Sequence, residues 1–238
     1  LSIDVLAIGA HPDDADLGVG GLLCKLALAG KRAVLLDLSK GELGSRGTVE
    51  ERRVEAAESA KILGILERRN AGLPDGGIAN TPEQRLVLIR ILRELKPAVL
   101  LAPMAPDRHP DHTAAHELVR DASFFAGVHG VDTGQAPHRA ATTYFYRAYE
   151  GTGESPSHVV DISGVLDQKL AALRAFRSQF YNPEYSGPET MIASSAFWEA
   201  ITTRAEYWGN RIGVRYGEPL YGTLPVAMDL PPELERHT

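Results

Sequence analysis

The chain has 238 residues, 44% of them hydrophobic, enough for one substantial core. Twenty-five basic residues against 31 acidic ones leave a net charge of −6, which argues against nucleic acid or an anionic membrane as the main partner and favours a small ligand. No run approaches the ~18 apolar residues of a membrane span, and the N-terminal segment lacks the order of a secretion signal, so the cytoplasm is the expected location.

The apolar run from Ile3 to Ile8 reads as a buried strand, and Gly9-Ala10-His11-Pro12-Asp13-Asp14-Ala15-Asp16 follows it directly. In an open α/β sheet, ligands bind beyond the carboxyl ends of the strands, where this histidine and its three carboxylates stand. His11 and Asp14 can converge if the loop turns like the start of a helix, which Pro12 favours. An imidazole and a carboxylate suit a borderline metal such as Zn2+, with a third ligand from elsewhere. Gly18 to Ala29 is the next expected helix, closed by Gly30, and Ala33 to Leu38 the next strand. Strand, helix and strand make a βαβ unit and a parallel sheet.

Gly18, Gly20 and Gly21 after a strand, with Asp37 ending the next, imitate a dinucleotide-binding fingerprint. Leu23 replaces its third glycine, and Asp13, Asp14 and Asp16 would repel a pyrophosphate, so an oxidoreductase reading is set aside. Cys24, the single cysteine, falls in the apolar pattern of this helix and reads as a buried, inert thiol.

The glycine-rich stretch from Lys40 to Thr48 can line the same mouth, and Val49 to Leu63 reads as a helix with Arg52 and Arg53 near its N-terminal end. Leu73 to Gly77 is turn chemistry. Thr81-Pro82-Glu83-Gln84 opens a helix that Lys96-Pro97 stops. The strand from Ala98 to Ala102 then delivers a second cluster, Asp107-Arg108-His109-Pro110-Asp111-His112, followed by a helix from Thr113 to Phe125. His116 reads as a surface residue or a supporting neighbour of the metal site. Two His-Pro-Asp clusters at two strand ends point to one site, although spacing alone leaves open which of Asp13 and Asp14, and which of His109 and His112, would bind metal. Later segments read as a strand from Thr142 to Tyr149, a loop over 151–157, a strand from Val159 to Ile162, helices over 163–176 and 189–208, and a surface tail with Pro231-Pro232.

These two motifs, with Gly18, Gly20 and Gly21, resemble the LmbE-like (PIG-L) family of zinc-dependent N-acetylglucosamine deacetylases, and weaker similarity runs from Ile3 to about Leu224. The nearest subgroup in motif is the bacillithiol-biosynthesis deacetylases. The resemblance implies an α/β, Rossmann-like three-layer sandwich with a mostly parallel sheet: a core over 1–130 and a smaller C-terminal α+β portion over 131–238, within one domain. It also implies that His11, Asp14 and His112 hold Zn2+, with Fe2+ the other ion this set suits. Asp13 would be the general base, His109, as imidazolium, the stabiliser of developing negative charge, and Asp111 the residue orienting His109. Arg52 and Arg139 match pocket positions. Asp16 stands where many members carry Glu. The implied substrate is N-acetylglucosaminyl-malate, with diacetylchitobiose or another N-acetyl glycoconjugate as the alternative, and the implied assembly is a homo-oligomer as large as a hexamer. A module that binds metal or sugar without catalysis is the rival from another class; it has no need of Asp13.

Overall fold

The structure is a computed structural model that describes residues 2–148 and 155–222. In chain order its elements are β1 (Val5–Gly9), α1 (Asp14–Leu28), β2 (Ala33–Asp37), α2 (Val49–Leu63), β3 (Glu67–Asn70), α3 (Pro82–Leu95) and β4 (Val99–Pro103). There follow α4 (Pro110–Ala126), β5 (Thr142–Tyr146), β6 (His158–Asp161), α5 (Leu166–Ala175), α6 (Ser195–Arg211) and β7 (Gly217–Gly222). Tyr149, most of the predicted 151–157 loop and the Pro231-Pro232 tail lie outside the described residues.

One sheet runs in the order β3-β2-β1-β4-β5-β7-β6. The first five strands are parallel, β7 is antiparallel to β5, and β6 is antiparallel to β7. Strands β1 and β2 are buried along their whole length, as a parallel sheet covered on both faces requires. Leu88, Leu92, Leu118 and Val119 of α3 and α4 pack on one face; Leu23, Leu63, Leu166 and Ala172 of α1, α2 and α5 pack on the other. The three layers and mostly parallel sheet expected from the sequence are present. No described helix is long and apolar enough to cross a membrane.

The topology explains why the two motifs meet. Strands β1 and β4 are neighbours, with Val5 opposite Val99 and Ala7 opposite Leu101, and strand order reverses between them. The chain leaves the two strands toward opposite faces and opens a crevice at their carboxyl ends.

Strands β3 and β7 have no counterpart in the sequence reading. Glu-Arg-Arg-Asn of β3 shows no apolar alternation because it is an edge strand, where charged side chains deter further pairing. In β7, Pro219 pairs with Val159 of β6, while β5 pairs only with Tyr221 and Gly222, so the proline sits where one side of the strand needs no donor.

Helix α1 begins at Asp14, four residues before the predicted start, and breaks at Val19 (φ −136°, ψ 19°). The N–H groups of Gly21 and Leu22 donate to Glu218 Oε1 and Oε2 at 2.8 and 2.7 Å, and Lys169 Nζ meets Glu218 Oε1 at 2.6 Å. A Cβ at Gly18 would collide with the Tyr146 ring, and one at Gly21 with Ile162. These glycines therefore serve close packing, and the amides that imitate a pyrophosphate cradle are occupied by the protein's own carboxylate.

Candidate metal centre and active site

His11 and Asp13 sit on the turn between β1 and α1, and Asp14 is the first residue of α1; His109 caps α4 and His112 lies in its first turn. The ring centroids of His11 and His109 are 4.7 Å apart, and those of His109 and His112 are 4.9 Å apart. The Asp14 carboxylate lies between two of the imidazoles, with Oδ2 at 3.4 Å from His11 Nδ1 and Oδ1 at 3.1 Å from His112 Nε2. For comparison, ligands about 2.0–2.1 Å from a tetrahedral ion stand roughly 3.3 Å apart. The His11, His109 and His112 nitrogens also fall within 4.8 Å of one another. The donor set, two or three imidazoles and a carboxylate, fits a divalent ion of the Zn2+ or Fe2+ kind.

Carboxylates fix the orientation of these imidazoles. His112 Nδ1 faces Asp107 Oδ1 at 3.2 Å, which leaves Nε2 turned to Asp14. His11 Nε2 lies 3.1 Å from Asp75 Oδ1 and 3.3 Å from Asp111 Oδ2, which fixes the ring with Nδ1 turned to Asp14. Asp75 holds the Leu43 N–H with its other oxygen at 2.8 Å. The sequence reading placed Asp75 in a turn and gave it no role, because its partner is 64 positions away.

The same contacts correct the expectation for Asp111. Its carboxylate faces His11 and accepts the Gly76 N–H at 2.7 Å; the Asp111 main-chain N–H is what reaches His109 Nδ1, at 3.2 Å. His109 thus caps α4 with its Nδ1 lone pair and carries its proton on Nε2. Burial, and then the positive charge of His11 and His112, push the His109 pKa down, which favours neutral imidazole rather than the imidazolium expected.

Burial disfavours charge on His11 and His112 as well, but there the Asp14 carboxylate outweighs it, aided at His112 by Asp107, and the two rise to about 9 and about 10. Asp14 is held well below the usual carboxylate range: burial opposes this, and the His112 charge and hydrogen bonds from both histidines prevail. Burial pushes Asp13 up to about 7, with Arg52 drawing it back.

Asp13 takes the N-cap position of α1 without capping it, and its backbone has φ 134° and ψ −24°. For a residue other than glycine such a conformation costs ~1–3 kcal/mol and recurs at functional sites. Its carboxylate opens into a cleft of about 430 Å3 that also meets Leu43, Arg46, Arg108, Gln179 and Met191. Another hollow, of about 480 Å3 on the far side of Pro12 beside Lys40, Arg53 and Arg69, contains none of these histidines.

Arg52 reaches the site as expected, but it is 4% exposed and donates to Gly41 O at 2.9 Å and Pro12 O at 3.1 Å. Arg139 does not reach it. It stacks over Phe124 at 5.0 Å and donates to Phe124 O, at the end of α4 remote from His109, a helix about 25 Å long. Arg53 is a solvated partner of Glu50, and His116 stands behind β4, bonded to Pro103 O and stacked on Phe145. Burial pushes the Cys24 thiol up to about 12, in keeping with an inert role.

Fold and donor set together define a class: an open α/β protein with a His/Asp centre suited to a divalent ion at its switch point. The family model described as GlcNAc-PI de-N-acetylase (PIG-L) matches residues 6–123. The diacetylchitobiose deacetylase of Thermococcus kodakarensis is 33% identical over 230 residues, 90% of this chain and 80% of the relative. This chain belongs to the PIG-L family. The crystal structure of the conserved protein TT1542 from Thermus thermophilus superposes with a TM-score of 0.86 at 42% identity, covering 95% of this chain and 97% of the other. That of N,N'-diacetylchitobiose deacetylase from Pyrococcus horikoshii gives 0.80 at 27% identity over 93% and 84%.

Proposed function

We propose that this chain is a metal-dependent hydrolase that releases acetate from an N-acetylglucosaminide, with His11, Asp14 and His112 as the metal ligands. One observation carries the reading. Asp13, next to the ligand Asp14, forgoes the hydrogen bond its N-cap position offers and faces the cleft instead. A binding module has no need of such a carboxylate.

A divalent ion at this centre, when bound, polarises the acetamide carbonyl and lowers the pKa of a water. Asp13 takes the proton of the attacking water on its carboxylate and returns it to the leaving amine, work worth ~10² to 10⁴ in rate. His109 Nε2–H donates to the oxygen that becomes anionic. Asp107 holds His112, and Asp75 with Asp111 holds His11, while the reaction proceeds.

Among substrates, the reading favours a chitin-type sugar such as diacetylchitobiose over N-acetylglucosaminyl-malate. The named relatives in Thermococcus and Pyrococcus act on the former. Of the two arginines expected to line the substrate pocket, either of which could meet a sugar hydroxyl or a malate carboxylate, Arg139 lies outside the cleft and Arg52 is engaged with main-chain carbonyls. The reading takes the chain as one domain, whose C-terminal portion contributes Gln179 and Met191 to the cleft. It retains a homo-oligomer as large as a hexamer and a cytoplasmic location, which light scattering and cell fractionation test. The substrate is tested by acetate release from diacetylchitobiose, N-acetylglucosaminyl-malate and free N-acetylglucosamine, compared by kcat/KM. Preference for the disaccharide is expected; preference for the malate conjugate reverses the substrate assignment, and no release from any of them overturns the activity.

A further inference from the structure

We infer that the hollow on the far side of Pro12 is a second ligand site, separate from the metal centre, that takes a small organic anion. A phosphate or carboxylate head meets a rim of cationic side chains, and a compact apolar body rests on a floor of small residues. The inference does not depend on the activity proposed above.

The hollow has room for about 480 Å3, as much as the cleft with its 430 Å3, and it is far larger than a bare ion needs. It lies beyond the carboxyl ends of β2 and β3, where Asp37 and Asn70 stand opposite each other in register. This is the end of an open α/β sheet at which ligands bind. Strand β3 is the edge, so no further strand fills the corner. Helix α2 passes over it with Ala56 and Ala57, and their methyl groups, with Val49 and the Pro12 ring, leave the space open and make its floor apolar. Pro12 is the partition: its neighbours His11 and Asp13 line the cleft instead.

Hydrogen-bonding capacity around this floor is one-sided. Arg68 donates to both Asp37 oxygens at 2.7 and 2.8 Å, and Arg53 to both Glu50 oxygens at 3.0 and 2.7 Å. The Gly72 N–H occupies Asn70 Oδ1 at 2.8 Å. The acceptors are thus largely spent, while donors remain. Among the described residues Lys40 Nζ meets no acceptor, and Arg53 and Arg69 each keep one Nη group after their bonds to Glu50, Glu67 and Glu94. Surplus donors that carry positive charge call for an oxyanion, which an ammonium and a guanidinium fork both bind. A neutral sugar brings hydroxyl hydrogens of its own and would find few acceptors here. An inorganic ion leaves the apolar floor unused, so the body attached to the anion adds to the binding.

The test is titration calorimetry of the metal-loaded protein at low salt with phenyl phosphate, benzoate and inorganic phosphate. The first two share an apolar ring and differ in the anion, so the tighter of them identifies the head the rim prefers. That one should saturate and bind about tenfold or more tightly than inorganic phosphate. Lys40, Arg53 and Ala57 are all exposed, so variants at these positions keep the fold. Lys40→Glu combined with Arg53→Glu should weaken binding about tenfold or more, by reversing the charge of the rim. Ala57→Trp, which fills the floor and leaves every charge in place, should remove the advantage of the aromatic anion over inorganic phosphate. Metal content and melting temperature are measured in each variant and should match wild type. No saturable binding of either aromatic anion overturns the inference, as does binding no tighter than that of inorganic phosphate. Binding that either variant leaves unchanged also overturns it, because the anion then sits elsewhere, as on the metal centre.

Discussion

Asp14 and Asp16 are two residues apart on the first turn of α1, and they belong to opposite kinds of charge cluster. Asp16 is saturated: Arg68 donates to both its oxygens at 3.0 Å, Ser59 donates to Oδ1 at 2.5 Å, and the same guanidinium grips both oxygens of Asp37. Around Asp14, apart from the His11 main-chain N–H that donates to Oδ2 at 2.8 Å, the contacts are ion-pair distances of 3.1–3.4 Å to imidazoles that can bind metal, and Asp13 alongside makes no capping bond at all. Both clusters are buried. The difference is unspent bonding capacity, which structure tolerates poorly and chemistry needs.

The contrast is sharpened by removing one group from each side. Asp13→Asn should lower kcat by about 10² to 10⁴ while bound metal per chain is unchanged, because the group lost moves a proton and holds no ion. Loss of metal with turnover retained would reverse the roles of Asp13 and Asp14. Arg68→Met leaves two buried carboxylates without their partner and should cost ~3–5 kcal/mol in denaturant unfolding; a variant as stable as wild type would mean the network is not what holds the turn. Asp107→Asn weakens the carboxylate behind His112 and should reduce metal affinity about 10- to 100-fold in a competition titration, with the fold intact. At the small end, Arg53→Ala should alter neither melting temperature nor kcat/KM, since its pairing with Glu50 is fully solvated.

Much of the fold was legible because it is built from buried runs and punctuated helices. The runs beginning at Ile3, Ala33 and Ala98 became adjacent parallel strands, and Thr81-Pro82 became the cap and first residue of α3. Strands β3 and β7 were illegible for a physical reason: one is a charged edge, and in the other Gly, Glu and Pro leave only Leu220 and Tyr221 as apolar signal, with the pairing decided by neighbours distant in sequence. Helix α6 begins at Ser195, six residues after the predicted 189, because the Ser194 hydroxyl accepts the Phe197 N–H and sets the start locally.

The site shows the same division. His11, Asp13, Asp14, His109 and His112 could be found because local motifs carry them to two strand ends. Asp75 could not, since its task appears only when a turn 64 residues away folds against His11. Asp111 was placed in the right cluster and given the wrong neighbour: at the start of a helix its N–H, not its carboxylate, faces His109 Nδ1. Arg139 was carried over by resemblance alone, and the chain directs it to the far end of α4.

The most direct test of the account is metal-dependent acetate release in a single sample. Protein stripped with a chelator should release no acetate from diacetylchitobiose and should recover full turnover on addition of one equivalent of Zn2+ or Fe2+ per chain. Undiminished acetate release by the stripped protein, with metal absent by elemental analysis, would contradict the central claim that the His/Asp centre works through a bound ion.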